Sequence, residues 1–296
     1  MDIVITYVDG NDPVWKQDYE KHTNVPVMQK RFRDWGTLKY LLRGIEVNMP
    51  FIRNVYLVVS HPSQVPQWAD TENLKVVLHK DIIPQEYLPT FNCNPIEMHL
   101  HRIPGLDEEY LYFNDDMFPV GKCTPEDFFR GGKAVIGYYR HFLASGMYKK
   151  ICRNSDRLAR KALGMKQSCF FTRPQHICSP MLKSQCEELY AMVEDEIRKT
   201  SATRTRTEEN LNQYLFLDYM NYKGLVLHHK ISNKHFSVAL ASAESLQAFL
   251  LKPTRSLVCI NDVHLSEERY ESLRSAIIDA FESVFPIKSK YEKQNG

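Results

Sequence analysis

The chain has 296 residues, 43% hydrophobic and 11% aromatic, which is enough to bury a large core and excludes disorder as its organising state. Its 38 basic and 36 acidic residues leave a net charge of +2, which excludes a global field for nucleic acid, so an anionic substrate has to be held by local groups. No run approaches the roughly 18 apolar residues of a membrane span, and the N-terminus lacks a signal-peptide layout, so the expectation is a cytoplasmic chain. The seven cysteines are scattered, odd in number and without a CxxC pair. They read as reduced thiols rather than a disulfide framework or a zinc site.

In chain order the first element is a β-branched run over residues 3–8, ended by Asp9-Gly10-Asn11-Asp12-Pro13, whose composition demands a turn. This predicts a buried strand that delivers a polar loop. From Asp34, a candidate N-cap, Leu38, Leu41, Leu42 and Ile45 recur at helical spacing until Asn48-Met49-Pro50 stops the helix. A second apolar strand is expected at 55–59, and strand, helix, strand is the opening of an α/β sheet. Further strands are expected at 75–78, 110–113, 134–138, 225–227 and 257–260. Residues 145–223 read as mostly helical, with helices at 183–198 and 208–222, and two more helices at 243–251 and 267–284 close the chain. The expected organisation is an α/β core over 1–144, a helical insertion over 145–223 that contributes to the active site, and a return to the core over 224–296.

Open α/β sheets bind ligands beyond the carboxyl ends of their strands. Three of those ends are unusually polar here: Asp9-Gly10-Asn11-Asp12, Asn114-Asp115-Asp116 and Asn261-Asp262. If they meet, they make an oxygen-ligand site for Mg²⁺ or Mn²⁺. Adjacent carboxylates after an apolar strand repel unless a cation or proton intervenes, which favours a metal or acid/base reading of Asp115 and Asp116 over a solvated turn. The Asp9 loop is weaker, because Asp-Gly and Asn-Asp are common turn formers.

Other residues keep two readings open. Arg31 and Arg33 precede the helix expected near Asp34, where a diphosphate could dock, or they are solvated around a buried Phe32. Glu97 and His101, with Arg102, share neighbouring faces of a short helix ended by Pro104, a spacing that more often makes an exposed ion pair than a ligand set. His176 lies in an irregular segment between Pro174 and Pro180, and taken alone it is as well explained by structure. Arg204 and Arg206 precede the helix expected at Glu208 and form either a second anion site or a basic turn. His228 and His229 read as strand-end surface.

Several of these segments coincide with one family. Residues 2–13, with Tyr7-Val8-Asp9-Gly10-Asn11-Asp12, resemble the first signature region of the Stealth proteins. Arg31-Phe32-Arg33-Asp34-Trp35-Gly36 through Arg43 and on to Val58 resembles the second, with Thr37 where the family often has an acid. Glu97 to Asp116 resembles the third, and Cys259-Ile260-Asn261-Asp262 with Phe285-Pro286-Ile287-Lys288 resembles the fourth. Four regions in the right order make the resemblance far more specific than any one motif. The family includes bacterial capsular polysaccharide phosphotransferases and the catalytic part of the animal lysosomal-enzyme N-acetylglucosamine-1-phosphotransferase. This chain is similar to a minimal bacterial form.

The resemblance implies a Rossmann-like nucleotide-sugar transferase core. It implies that Asp9, Asp115, His176 and Arg206 are catalytic, with Arg206 on phosphate; the base is His176 or one of the carboxylates, and an ordinary imidazole pKa of about 6.5, close to working pH, favours His176. It places Asp116, Asn261 and Asp262 at the Mg²⁺ or Mn²⁺. Around the substrate it implies Gly10, Asn11, Asp12, Arg31, Arg33, Asp34, Arg43, His101, Arg102 and Asn114, with Asn154 and Arg157 from a further family-like stretch. The expected reaction moves a hexose-1-phosphate, N-acetylhexosamine-1-phosphate first among candidates, from a UDP-sugar to a hydroxyl of a glycan or oligosaccharide acceptor. A seat beside membrane-bound capsule machinery, at the inner face of the membrane, goes with that. The rivals are a metal-dependent glycosyltransferase that releases UDP and a non-catalytic nucleotide-sugar-binding module. Sequence leaves open the sugar, the acceptor hydroxyl and the oligomeric state.

Overall fold

A computed structural model describes residues 1–23, 27, 32–262 and 265–294. Its centre is a five-stranded sheet in the order β10-β4-β1-β2-β3. The four strands β1 (Asp2–Thr6), β2 (Val55–Val59), β3 (Leu74–Leu78) and β4 (Glu109–Asn114) run parallel, and β10 (Ser179–Leu182) closes the β4 edge antiparallel. The apolar runs over 3–8, 55–59, 75–78 and 110–113 supply these strands; β1, β2 and β4 bury β-branched and aromatic side chains on both faces, as a covered parallel sheet requires, while the edge strand β3 leaves Lys75 exposed.

The chain leaves β1 for β2 on one side and returns to β4 on the other, so the sheet order reverses at β1. Crevices of doubly wound sheets form at that point. Its register sets Thr6 opposite Asn114, which makes Tyr7 and Asp115 the next residues beyond a shared edge.

Helix α1 (Pro13–His22) starts on Asp12, whose Oδ1 accepts the Trp15 N–H at 2.7 Å. Helix α2 (Leu38–Asn48) has its N-cap at Thr37. The expected N-cap at Asp34 is therefore three residues early: the Asp34 carboxylate instead accepts the Gly36 N–H at 2.9 Å, in a turn where Gly36 has φ +71°. Leu38, Leu41, Leu42 and Ile45 face the core as their spacing predicts. Gly44 lets α2 touch β5 (Met117–Pro119), since a Cβ there would lie 2.6 Å from the Pro119 carbonyl oxygen.

A second sheet, β12-β13-β5, pairs β12 (Asn233–Ser237) parallel with β13 (Leu257–Asn261) and β13 antiparallel with β5. It brings the end of β13 back beside the β4 end. A third sheet holds β11 (Val226–His228), β7 (Lys133–Ile136) and β6 (Phe129–Arg130), and β8 (Tyr138–His141) pairs antiparallel with β9 (Phe171–Pro174).

After α3 (His79–Ile82) and α4 (Cys93–His99), the stretch 145–223 holds α5 (Gly146–Ala162), α6 (Lys183–Met192), α7 (Glu194–Ser201) and α8 (Tyr214–Tyr222). It is not a wholly helical appendage, because it also contains β9 and supplies β10 to the central sheet. The helix expected over 183–198 breaks at Val193. The helix expected at Glu208 begins only at Tyr214, because side-chain bonds claim the preceding loop: Asn210 Oδ1 accepts from Thr207 N–H and from Asn92, and Ser155 Oγ accepts the Asn212 N–H. Helices α9 (Ala243–Leu251) and α10 (Glu267–Val284) pack together at the end of the chain, as expected.

Candidate active site

Beyond the ends of β1 and β4 lies a cavity of ≈ 1140 Å³, walled by the central sheet, the β12-β13 pair and the 145–223 stretch. Asn114, Asp115 and Asp116 reach it from β4, and Asn261 and Asp262 from β13. The Ile260 N–H donates to the Asp116 carbonyl at 2.9 Å, which holds these two acidic ends together. Asp34 lines the same cavity from the turn before α2. Asp262 accepts the Trp35 indole N–H at 3.0 Å.

Burial, and then the Asp116, Asp34 and Asp262 carboxylates, push the Asp115 carboxyl up to about 8. Burial also raises Asp116, to about 6, and raises Asp34. Tyr7, the first residue beyond β1, is lifted above its usual range by burial and by Asp34, Asp9 and Asp115. So many carboxyls hold each other protonated or call for a cation. Asp116 Oδ1 is buried with no hydrogen-bond partner among the described residues. An orphaned carboxylate oxygen beside three further oxygen donors fits a hard divalent ion such as Mg²⁺ or Mn²⁺.

Basic and aromatic side chains line the same cavity. Arg206 lines the cavity from the irregular loop after α7, not from a helix start, and its Nη2 donates to Cys93 Sγ at 2.6 Å. Its Nε is buried without a hydrogen-bond partner among the described residues. Burial pushes the Cys93 thiol up to about 11, so it does not neutralise the guanidinium. Glu97 is buried here as well, accepting the Gln213 N–H at 3.0 Å, and burial lifts it to about 7. His176, on the turn between β9 and β10, has its Nδ1 3.2 Å from the Tyr214 hydroxyl. Burial, with His235 and Arg173 nearby, lowers it to about 4. The ring is therefore neutral near pH 7 and can accept a proton.

Other expected residues stand elsewhere. Arg31 lies outside the described residues. Arg33 lines the cavity while pairing with Glu267 at 3.3 Å and lying 4.0 Å over the Tyr270 ring. Asp9, Gly10, Asn11 and Asp12 form the rim rather than the wall: Asp9 Oδ1 accepts the Asn11 N–H, Asp12 caps α1, and Gly10 donates to the Phe32 carbonyl at 2.7 Å. A Cβ on Gly10 would lie 2.3 Å from that oxygen, so the glycine is needed for close packing.

Arg43 is not at the cavity. It is buried and forks onto Glu292, Nε to Oε1 and Nη2 to Oε2 at 2.8 Å each, and donates to the Phe285 carbonyl at 2.7 Å. His101 packs against Tyr190 and Phe216 in the core, and Arg102 is exposed. Asn154 donates to the carbonyls of Glu208 and Asn210, holding the Arg206 loop from behind. Arg157 is exposed on α5 and does not reach the cavity.

The sequence reading left out Tyr7, Arg173, Tyr214 and His235, which all line the cavity, and gave Glu97 a surface role. For Glu97 the signal was the apolar neighbourhood of Ile96 and Met98. The other four carry none that a single sequence displays.

A family model described as Stealth protein CR2, conserved region 2, matches residues 31–135. A capsular polysaccharide phosphotransferase, WcwK, of Streptococcus pneumoniae is 31% identical over 99% of this chain and 99% of its own. A receptor polysaccharide phosphotransferase, WefC, of Streptococcus gordonii is also 31% identical, over 99% of this chain and 98% of its own. Among solved structures, the galactosyltransferase LgtC in complex with donor and acceptor sugar analogs aligns over 98% of both chains at 11% identity, with a TM-score of 0.41. With two relatives matched end to end above 30% identity, and with the acidic strand ends of the signature regions gathered at one cavity, the chain belongs to the Stealth family.

Proposed function

We propose that the chain transfers a hexose-1-phosphate, of the N-acetylhexosamine class, from a UDP-sugar to a sugar hydroxyl of a surface polysaccharide. The observation that carries this reading is the convergence of Asp115 and Asp116, Arg206 and His176 on one cavity from three separate stretches of chain. The phosphotransferase names of its full-length relatives support it.

The acceptor hydroxyl oxygen attacks the β-phosphorus and forms a new P–O bond. The bond from that phosphorus to the bridging oxygen breaks, UMP leaves with the electron pair, and the anomeric C–O bond stays intact. His176, neutral and held by Tyr214, takes the hydroxyl proton. Arg206, with an unpaired Nε and a weak thiol partner, has donors to spare for phosphate oxygens. Asp116, Asp115, Asn261 and Asp262 would hold Mg²⁺ or Mn²⁺, which when bound neutralises charge on the diphosphate. A glycosyltransferase would use the same groups but break the anomeric bond and release UDP.

The same reading seats the enzyme in the cytoplasm, against the inner face of the membrane. No helix among the described residues is long and apolar enough to cross a membrane. A basic segment with exposed apolar side chains supports peripheral contact: residues 139–170 carry eight lysines and arginines against Asp156 alone, of which Lys150, Arg160 and Lys161 pair with Glu208, Asp156 and Glu196. Phe142 and Leu143 are 59% and 71% exposed there, Phe142 pairs with Phe170, and Arg140 lies 4.0 Å over the Phe170 ring.

The test of the proton acceptor is His176→Ala. Near-normal UDP-sugar binding with turnover lowered by roughly 10²-fold or more is expected. Unchanged turnover would remove His176 from the reaction.

A further inference from the structure

His176, His235 and Cys259 stand together on three different strand ends and turns. His235 on β12 and Cys259 on β13 are register partners in a parallel pair, so both side chains project from the same side of the sheet. The His176 ring centroid lies 5.9 Å from that of His235. One ligating atom from each of the three residues falls within 4.8 Å of the other two. The Tyr214 hydroxyl engages His176 Nδ1, an outer hydrogen bond of the kind that orients a metal-bound imidazole and leaves the other nitrogen for the ion. Cys259 Sγ lies 3.6 Å from Asp116 Oδ2, and the second oxygen of that carboxylate is the buried one without a partner.

Two imidazoles, a thiol and a carboxylate oxygen are a donor set for a borderline-soft tetrahedral ion, whereas Mg²⁺ takes oxygen ligands. We propose that His176, His235 and Cys259, with Asp116 beside them, form a second cation site of the zinc class, and that zinc bound there switches the transferase off. Binding releases the Cys259 thiol proton to solvent and forms metal bonds to sulfur and to two ring nitrogens. The His176 lone pair is then no longer open to the acceptor hydroxyl, and Asp116 is drawn away from the hard-ion set. The binding half of this proposal stands on geometry alone; the inhibition half rests on the role given to His176 above.

Cobalt(II) serves as the probe, because a thiolate–cobalt bond gives a near-ultraviolet charge-transfer band that oxygen and nitrogen ligands do not. Co²⁺ added to the purified chain without nucleotide-sugar should develop that band to one equivalent, and Zn²⁺ should abolish it. Cys259→Ser should lose the band while melting as the wild type does without metal. His235→Asn, at a residue outside the transfer step, should weaken Co²⁺ binding by roughly tenfold or more. Measured against its own Mg²⁺-supported rate, the variant should escape inhibition by Zn²⁺. Absence of the band, or a band that persists in both variants, overturns the site. Loss of the cobalt band to Zn²⁺ with turnover undiminished by that Zn²⁺ overturns the inhibition and, with it, His176 as proton acceptor. A band in a protein with no transferase activity under any metal counts against the proposed function and leaves the site standing.

Discussion

The main-chain N–H of Ile260 donates to the carbonyl oxygen of Asp116 across the β13-β5 junction at 2.9 Å, binding residues 144 positions apart into one acidic wall. That bond is what makes two unremarkable Asn-Asp turns into a candidate ion site. The sheet brings the carboxylates together, and their crowding then calls for a cation.

Asp116→Asn should lower turnover by orders of magnitude, since a neutral amide is a poor ligand for a hard ion. Excess chelator should do the same to the wild type. Mn²⁺ binding followed by electron paramagnetic resonance gives an independent reading, and undiminished binding in the variant would place the ion elsewhere.

Arg206→Lys should lose roughly tenfold or more in turnover, because a planar fork with a spare Nε donor is not replaced by a point charge. Steady-state kinetics decide it. A variant with wild-type rates would make the arginine a loop anchor for Cys93.

Arg43→Leu tests a residue that sequence assigned to the substrate and the structure assigns to the C-terminal tail. Removing one partner of a buried, doubly bonded pair leaves Glu292 uncompensated and should cost about 3–5 kcal/mol of stability. The thermal melt should drop while UDP-sugar affinity stays the same. The Arg43→Leu, Glu292→Leu double variant should recover part of the loss.

His101→Leu carries the pH prediction. Burial holds the His101 imidazole down at about 3, and its Nδ1 is buried without a partner. The folded value lies below the unfolded one, so in acid the unfolded chain binds the proton first. Stability associated with this group is fully present above the unfolded pKa of about 6.5 and is lost as pH falls toward the folded value. The variant should therefore lose less melting temperature than the wild type between about pH 7 and pH 5. Equal losses would place the ring in contact with solvent.

Much of the fold was legible because its signals are local. The apolar runs of β1, β2 and β4 and the spacing of Leu38, Leu41, Leu42 and Ile45 need no knowledge of the rest of the chain. Asp115, Asp116, Asn261 and Asp262 were legible for the same reason, each following a strand. What failed depended on distant partners. An i,i+4 pair such as Glu97 and His101 reads as surface until Gln213 and Phe216 arrive from more than 110 residues away. The Glu208 helix was lost to side-chain bonds from Asn92 and Ser155, and His235 gained a neighbourhood only through the β12-β13 register.

A membrane seat predicts that the chain sediments with vesicles containing an anionic phospholipid and not with neutral ones. Added salt should release it, since a basic surface is screened within a Debye length. Phe142→Ser with Leu143→Ser should weaken binding without changing turnover on a soluble acceptor. Equal binding to neutral and anionic vesicles would discount the charge of residues 139–170.

The central claim concerns which bond breaks, and the nucleotide left behind reports it directly. Purified chain, Mg²⁺ or Mn²⁺, a panel of UDP-sugars and an oligosaccharide acceptor should yield UMP in step with a glycan that has gained phosphorus. Release of UDP with a phosphorus-free glycan product would contradict the account and make the protein a glycosyltransferase.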